Sequence, residues 1–246
     1  MKLAIMQPYF FPYVGYFQLM KAVDNWIVFD EVQFIDKGWI NRNRILHPNP
    51  ANQWQYISLP LSKRGQFDKI NKIEIHSDIK WKSQILGKLT VYKNIKAPYY
   101  DETYNLVKKC LDNDEKNLSA FLTQSLKIIA KHLNISTIIK TYLEAKLCLE
   151  KPSHPGQWAL KISEKLGALE YINPIGGHEL FIKKEFDEKN IKLSFLEPKL
   201  PSYMQNNKKF IPNLSIIDLL FWKGSEFVSN FILNDFELVS SNFKTD

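Results

Sequence analysis

The chain opens on a short apolar run, Lys2–Met6, that stops at Gln7-Pro8. A brief apolar stretch closed by a turn signal reads as a buried strand. Next comes Pro8-Tyr9-Phe10-Phe11-Pro12-Tyr13-Val14-Gly15-Tyr16, an aromatic, proline-bearing loop. Phe17, Leu19, Met20 and Val23 then recur at the spacing of a two-turn helix, and Asn25–Phe29 forms a second buried strand that ends at Asp30. Strand, loop, helix and strand in this order start a parallel sheet with a right-handed crossover. The aromatic loop and Asp30 are thereby placed at its carboxyl edge, where α/β sheets bind ligands.

From Trp39 to Arg44 the chain reads Trp-Ile-Asn-Arg-Asn-Arg, and strands are expected near Gln55–Leu59 and Lys72–Ile75. Residues 79–133 change character. Leu118, Phe121, Leu122, Leu126, Ile129 and Leu133 fall at helical spacing, with Asn117 and Ser119 as candidate caps. About three helices fit there, Pro98 parting the first from the second. A strand at Ser136–Thr141, a helix at Gln157–Leu166 and a strand at Glu170–Asn173 follow. After them come the turn Pro174–Gly177, a short helix at Leu180–Glu188 and a strand at Lys192–Leu196. Pro212–Phe221 reads as an apolar helix in which Ser215 and Asp218 are polar at i, i+3 and so need buried partners. The expected fold is α/β, a Rossmann-like, mostly parallel sheet flanked by helices. Residues 1–78 and 134–246 form its core and 79–133 an all-helical insert, in one compact unit.

Composition excludes more than it assigns. At 246 residues and 45% hydrophobic, the chain buries a sizeable core and is neither disordered, collagenous nor a disulfide mini-protein. A net charge of +7 suits phosphate-bearing or acidic partners, yet 30 of the 33 cations are scattered Lys, which argues against a nucleic-acid stripe. No apolar stretch nears the roughly 18 residues of a membrane span, and the run Leu3–Met6 is too short for a signal peptide, so none is expected. Cys110 and Cys148 are expected as reduced packing residues, which fits a cytoplasmic setting. The five histidines show no i, i+4 pair and no carboxylate cluster, so no metal site is expected.

Candidate chemistry concentrates in three places. Arg42, Arg44 and Arg64 share a single window in a chain that otherwise uses Lys. A position that keeps Arg needs its planar, bidentate fork, which carboxylates and phosphates accept. Asn41 and Asn43 interleave with Arg42 and Arg44, so an extended backbone turns the asparagines to one side and the arginines to the other. In the aromatic loop, Gln7, Tyr9, Tyr13 and Tyr16 offer hydrogen-bonding tips, and Gly15 lets a ligand approach the start of a helix. In the late turn, Gly176 and Gly177 free the backbone for a nest of amide donors, with Asn173 at the strand end. Asp30, His154 and His178 are candidates for proton transfer, and Glu179 stands at a helix start.

Long stretches resemble the WbqC-like family: Ala4 to Phe17, Asp30-Glu31-Val32-Gln33-Phe34, Trp39 to Ile45, Pro174 to Phe181 and Pro212 to Leu219. The resemblance implies a role in bacterial surface-polysaccharide, O-antigen and lipopolysaccharide biosynthesis, with transfer of a glycyl or related acyl group to an amino sugar. Tyr13-Val14-Gly15-Tyr16 is also similar in place to the His-x-Gly-His loop of the HIGH nucleotidyltransferase and synthetase superfamily, with both histidines replaced by tyrosines. Lys63, Arg64 or the Arg42/Arg44 pair would then supply the positive charge.

These resemblances imply a transferase that acylates the amine of a nucleotide-linked deoxyamino sugar. Its partners are that nucleotide sugar and an activated acyl donor, ATP plus an amino acid being one form of it; a homodimer is compatible. Arg42 and Arg44 would hold phosphates, Tyr9, Tyr13 and Tyr16 would pack on rings, and Gln7, Gln33, Asn41, Asn43 and Asn173 would supply hydrogen bonds. The amides of Gly176 and Gly177 would meet an oxyanion or phosphate, while Asp30, His178 or Glu179 would handle the proton. The alternatives are a non-catalytic sugar-nucleotide-binding protein and a nucleotidyltransferase making an activated sugar.

Overall fold

The computed structural model describes every residue except 50, 79, 201, 206–209 and 241–246. The opening unit is as expected: strand β1 (Lys2–Met6), helix α1 (Val14–Lys21) and strand β2 (Asn25–Val28), with β1 and β2 parallel. An antiparallel hairpin, β3 (Arg42–Leu46) and β4 (Trp54–Ser58), stands apart from the main sheet. Helices α2 (Lys80–Lys88), α3 (Thr90–Asn94), α4 (Tyr100–Leu111) and α5 (Leu118–His132) follow. The chain then runs through β5 (Ile138–Thr141), α6 (Gln157–Lys165), β6 (Glu170–Pro174), α7 (Lys183–Glu188), β7 (Lys192–Pro198), α8 (Ile216–Asn230) and β8 (Phe236–Ser240).

The main sheet has six strands in the order β5-β2-β1-β6-β7-β8, all parallel except β8. From β1 the chain builds outward through β2 and β5, then returns to the other side of β1 through β6 and β7. The order therefore reverses between β1 and β6, and the carboxyl ends of five strands share one edge. Both faces are covered, which is why β1 reads as an unbroken apolar run. Leu3 and Ile5 join the cluster under α6 and α7, while Ala4 joins the larger cluster that includes α1, α8 and the helical block.

Several elements differ from expectation. The block after residue 79, which itself lies outside the described residues, holds four helices: a break at Leu89 separates α2 from α3, and Pro98 lies between α3 and α4. Asn117 caps α5 by accepting from the Ala120 amide, whereas Ser119 turns inward. Lys72–Ile75 is no strand. Ile70–Lys72 forms a 3-10 turn, and Glu74 and Ile75 make isolated bridges to Asn117 and Leu61, because only single loop residues lie alongside. Leu180–Glu188 divides into a 3-10 turn, Ile175–Leu180, and α7, with extended backbone at Phe181. Helix α8 continues past Phe221 through a kink at Gly224, whose φ of 72° and contact with the Tyr99 ring exclude a side chain. Strand β8 is half-exposed and carries no apolar run that would announce it. Cys110 is buried, with its thiol pushed up to about 12 by that burial, but Cys148 is exposed and does not pack.

One knot ties the aromatic loop to the rest. Phe11 is 1% exposed and adopts φ 43°, a left-handed conformation that costs a bulky residue about 1–3 kcal/mol. Its carbonyl accepts from Asn43 Nδ2 at 2.8 Å and from the Ser215 hydroxyl at 2.7 Å. Asn43 Nδ2 also reaches the Phe10 carbonyl at 3.2 Å, and its Oδ1 accepts from the Arg44 amide. The Ile216 amide donates to Pro12 and the Ser215 amide to Arg44. Loop, hairpin and α8 are thus joined through a few buried groups. Asn43→Ala, which strands these carbonyls, is expected to lower the unfolding free energy by about 2–3 kcal/mol in urea titration. Asn43→Asp, which cannot donate to a carbonyl, is expected to lower it at least as much.

Candidate functional site

That knot holds open a cleft of about 340 Å³, lined by Tyr9, Tyr13, Trp39, Asn43, Arg44, Pro198, Leu200 and Asn213. Tyr9 and Tyr13 come from the loop after β1, Pro198 and Leu200 from the end of β7 and the chain beyond it, and Asn213 from the turn before α8. Arg44 is the cation of the wall. Its guanidinium lies 5.2 Å from the ring centres of both Trp39 and Trp54, and Nη2 donates to the Asn213 carbonyl at 3.1 Å. Its Nε is buried without a hydrogen-bond partner, and no described carboxylate lies within ion-pair distance. The phenols of Tyr9 and Tyr13 are half-buried, and desolvation raises both above the ordinary tyrosine value, so they remain neutral donors.

The other residues singled out in the loop and hairpin build the walls rather than line them. Tyr16 is buried, packs tilted against Trp26 with ring centres 4.7 Å apart and donates to the Gln7 carbonyl, so it is core and not a ring platform. Gly15 lies beneath the Tyr13 ring, where a Cβ would come within 2.5 Å; the glycine admits that ring rather than a ligand. Asn41 donates to the Leu59 carbonyl at 3.0 Å, and the exposed Gln33 to the Gln66 carbonyl. The expected alternation holds: Asn43 points inward, and Arg42 and Arg44 lie on the other face of β3. Yet Arg42 is spent on structure. It sits 4.3 Å over the Tyr56 ring and forks onto the carbonyls of Lys37 and Gly38, while Arg64 lies over Phe34 and pairs with Asp36. Asp30 is buried, accepts from the Ser119 hydroxyl and leaves Oδ1 without a partner; burial raises its pKa.

The late turn is not part of this lining. Asn173 accepts from the Tyr171 hydroxyl at 2.9 Å and packs so closely on Gly177 that a Cβ there would meet it at 2.5 Å. Neither Gly176 nor Gly177 takes a positive φ, and both run in a 3-10 turn, so the expected nest does not form. His178 Nδ1 lies 3.1 Å from the Ile175 carbonyl, and Glu179 is exposed. Aromatic loop and hairpin therefore meet in one hollow, and the diglycine turn stands outside its wall. Reading by residue type missed Trp39, Asn213, Pro198 and Leu200. Asn213 had a signal, the Pro-Asn turn that here takes φ 57°; the two after β7 had none.

A smaller void of about 30 Å³ adjoins the cleft, shares Tyr13, Leu200 and Asn213, and adds Tyr203. Behind it Asp218 is fully buried, accepting from Tyr92, Tyr203 and Gln205 at 2.6, 2.5 and 2.8 Å. Desolvation lifts its carboxyl from the ordinary carboxylate range to about 6, against the lowering effect of those donors. A carboxyl raised in the fold binds a proton that the unfolded chain releases. Its contribution is therefore full below about pH 4 and fades as the pH climbs to about 6, by roughly 3 kcal/mol. Asp218→Asn is expected to remove that slope in chemical unfolding measured between pH 4 and 6.

Comparison with known proteins agrees with the sequence resemblance. The family described as the WbqC-like protein family matches residues 7–230. A Mycobacterium tuberculosis (strain ATCC 25618 / H37Rv) protein described as uncharacterized protein Rv1507c is 26% identical over 226 residues, covering 92% of this chain and 95% of its own. No solved structure matches the chain significantly. Among the described residues, no helix is long and apolar enough to cross a membrane.

Proposed function

The chain belongs to the WbqC-like protein family, and from that premise we propose that it acylates the amine of a nucleotide-linked deoxyamino sugar in surface-polysaccharide biosynthesis. The observation that carries the reading is Arg44, a guanidinium without a carboxylate partner among the described residues, close to two indoles and lining a cleft. A positive group so placed takes an anion, and the aromatic side chains that line the cleft with it offer faces to a ring. Tyr9 and Tyr13 add neutral phenol donors to the same wall. A phosphate joined to a sugar or base meets all three demands at once. Acyl transfer then needs a neutral amine, an activated acyl donor such as an acyl adenylate, and a group to take the amine proton.

A second reading, binding without turnover, is favoured by one observation. Asp30 is buried against Ser119, and His178 and Glu179 are absent from the cleft lining.

Arg44→Lys keeps the charge and loses both fork and stack. It is expected to weaken binding of UDP-glucosamine at least tenfold by titration calorimetry, with the melting temperature little changed. Mass spectrometry of UDP-glucosamine incubated with glycine and ATP is expected to show a glycyl increment. Saturable binding with no increment would establish the second reading, and pyrophosphate released from a sugar phosphate would instead mark a nucleotidyltransferase.

A further inference from the structure

The carboxyl edge of the sheet carries a second constellation away from the cleft lining. The connection leaving β5 ends in the turn Ser153-His154-Pro155-Gly156 before α6, and the connection leaving β6 runs through the 3-10 turn into α7. The two are locked together. A Cβ on Gly156 would sit 2.0 Å from the Leu180 carbonyl oxygen, so only glycine lets the segments approach this closely. Across that junction His154 Nε2 lies 3.1 and 3.0 Å from the two carboxylate oxygens of Glu185. Gln157 donates to Glu185 at 3.0 Å, and Ser153 in turn donates to Gln157 through its amide and its hydroxyl.

This arrangement sets the tautomer. A carboxylate only accepts, so Nε2 carries the proton and the lone pair is left on Nδ1. No described group is bonded to Nδ1, and the side chain is 27% exposed. An imidazole with one nitrogen oriented by a carboxylate, itself held by a further donor, and the other nitrogen uncommitted has the design of a general base. The other imidazoles differ. His178 has its Nδ1 against a backbone carbonyl, and His132 pairs with Glu102 at the end of α5, just ahead of β5, on the amino side of the sheet.

We propose that His154, oriented by Glu185, is the proton acceptor for an amine-bearing ligand seated at the carboxyl edge of the sheet. The proposal rests on the acyl-transfer reading above and supplies the base that the cleft lining lacks. The amine nitrogen attacks the carbonyl carbon of an activated acyl donor, an acyl adenylate or thioester. The new carbon–nitrogen bond forms, and the leaving group departs with the electron pair of the bond that breaks. The amine proton passes to Nδ1 of His154 and later to the departed group or water. Glu185 is a positioning residue that stabilises the imidazolium in between.

The test follows histidine ring signals by NMR in the full chain labelled with ¹³C-histidine, assigned by their loss in His154→Gln, alongside the acyl-transfer assay. UDP-glucosamine is expected to shift the His154 signal in the wild type with the Kd found by calorimetry, and in Arg44→Lys only at concentrations at least tenfold higher. His154→Gln is expected to lower kcat about 100-fold or more with KM within about twofold. Glu185→Gln is expected to lower kcat with KM little changed, and Glu185→Asp to restore part of it. His132→Gln is expected to leave every readout unchanged. A His154 signal unmoved by UDP-glucosamine, or His154→Gln turning over like wild type, overturns the proposal and leaves the pair as a tie between α6 and α7. A His154 shift without turnover in the wild type retires acyl transfer and keeps His154 as a ligand contact.

Discussion

The fold around the cleft depends on one carbonyl oxygen, that of Phe11. The backbone there stands in a conformation a phenylalanine does not choose, and it persists because Asn43 and Ser215 both donate to that oxygen while the ring is buried. Those donors belong to elements far apart in sequence, β3 and the cap of α8. Each holds its place through the same knot, since Ser215 also bonds to the Arg44 carbonyl and caps Ile217. The strained loop, the hairpin and the late helix are therefore mutually conditional. The cleft is the space left between them.

The same dependence explains the three arginines. All of them press against the segment from Phe34 to Trp39: Arg64 on Phe34 and Asp36, Arg42 on the carbonyls of Lys37 and Gly38, Arg44 on the Trp39 ring. Each sets its guanidinium against a ring and directs an N–H at an oxygen, a combination an ammonium does not reproduce. That segment has exposed apolar residues, Ile35 at 58% among them, and few buried ones to hold it. Guanidinium planes do the holding. Only the last of the three also faces the cleft, so one residue type serves scaffold and site together.

At the sheet's carboxyl edge a division of labour follows from topology. Loops leaving β1 and β7 converge on the side of α8 and make the aromatic, cationic hollow. Loops leaving β5 and β6 converge on the side of α6 and bring an imidazole against a carboxylate. Two buried carboxyls, Asp30 and Asp218, accept from hydroxyl donors and lie outside the lining of the cleft. Exposure and uncommitted hydrogen-bonding capacity, more than residue type, separate the groups able to meet a ligand from those that hold the fold.

What the amino-acid order determined by itself was everything set by local periodicity and by contiguous motifs. The βαβ opening, the parallel sheet, the helical block and the family kinship all follow from runs of neighbouring residues, because burial on both faces of a strand leaves an unbroken apolar signature. The alternation of Asn43 with Arg42 and Arg44 was legible for the same reason. The tertiary structure alone decided which of the interleaved polar groups were spent. Tyr16, Gly15, Asn41 and Arg42 have the chemistry of a site, yet their donors and surfaces are consumed by backbone carbonyls and rings that the folded loops bring against them. Leu200 and Pro198 carry no chemical signal and still form a wall. A side chain's hydrogen bonds are used up by whatever the fold brings next to it, and even where that neighbour is only a few residues off, as Gln7 is from Tyr16 and Gly38 from Arg42, the irregular path of the loop sets the contact and no periodic pattern reports it.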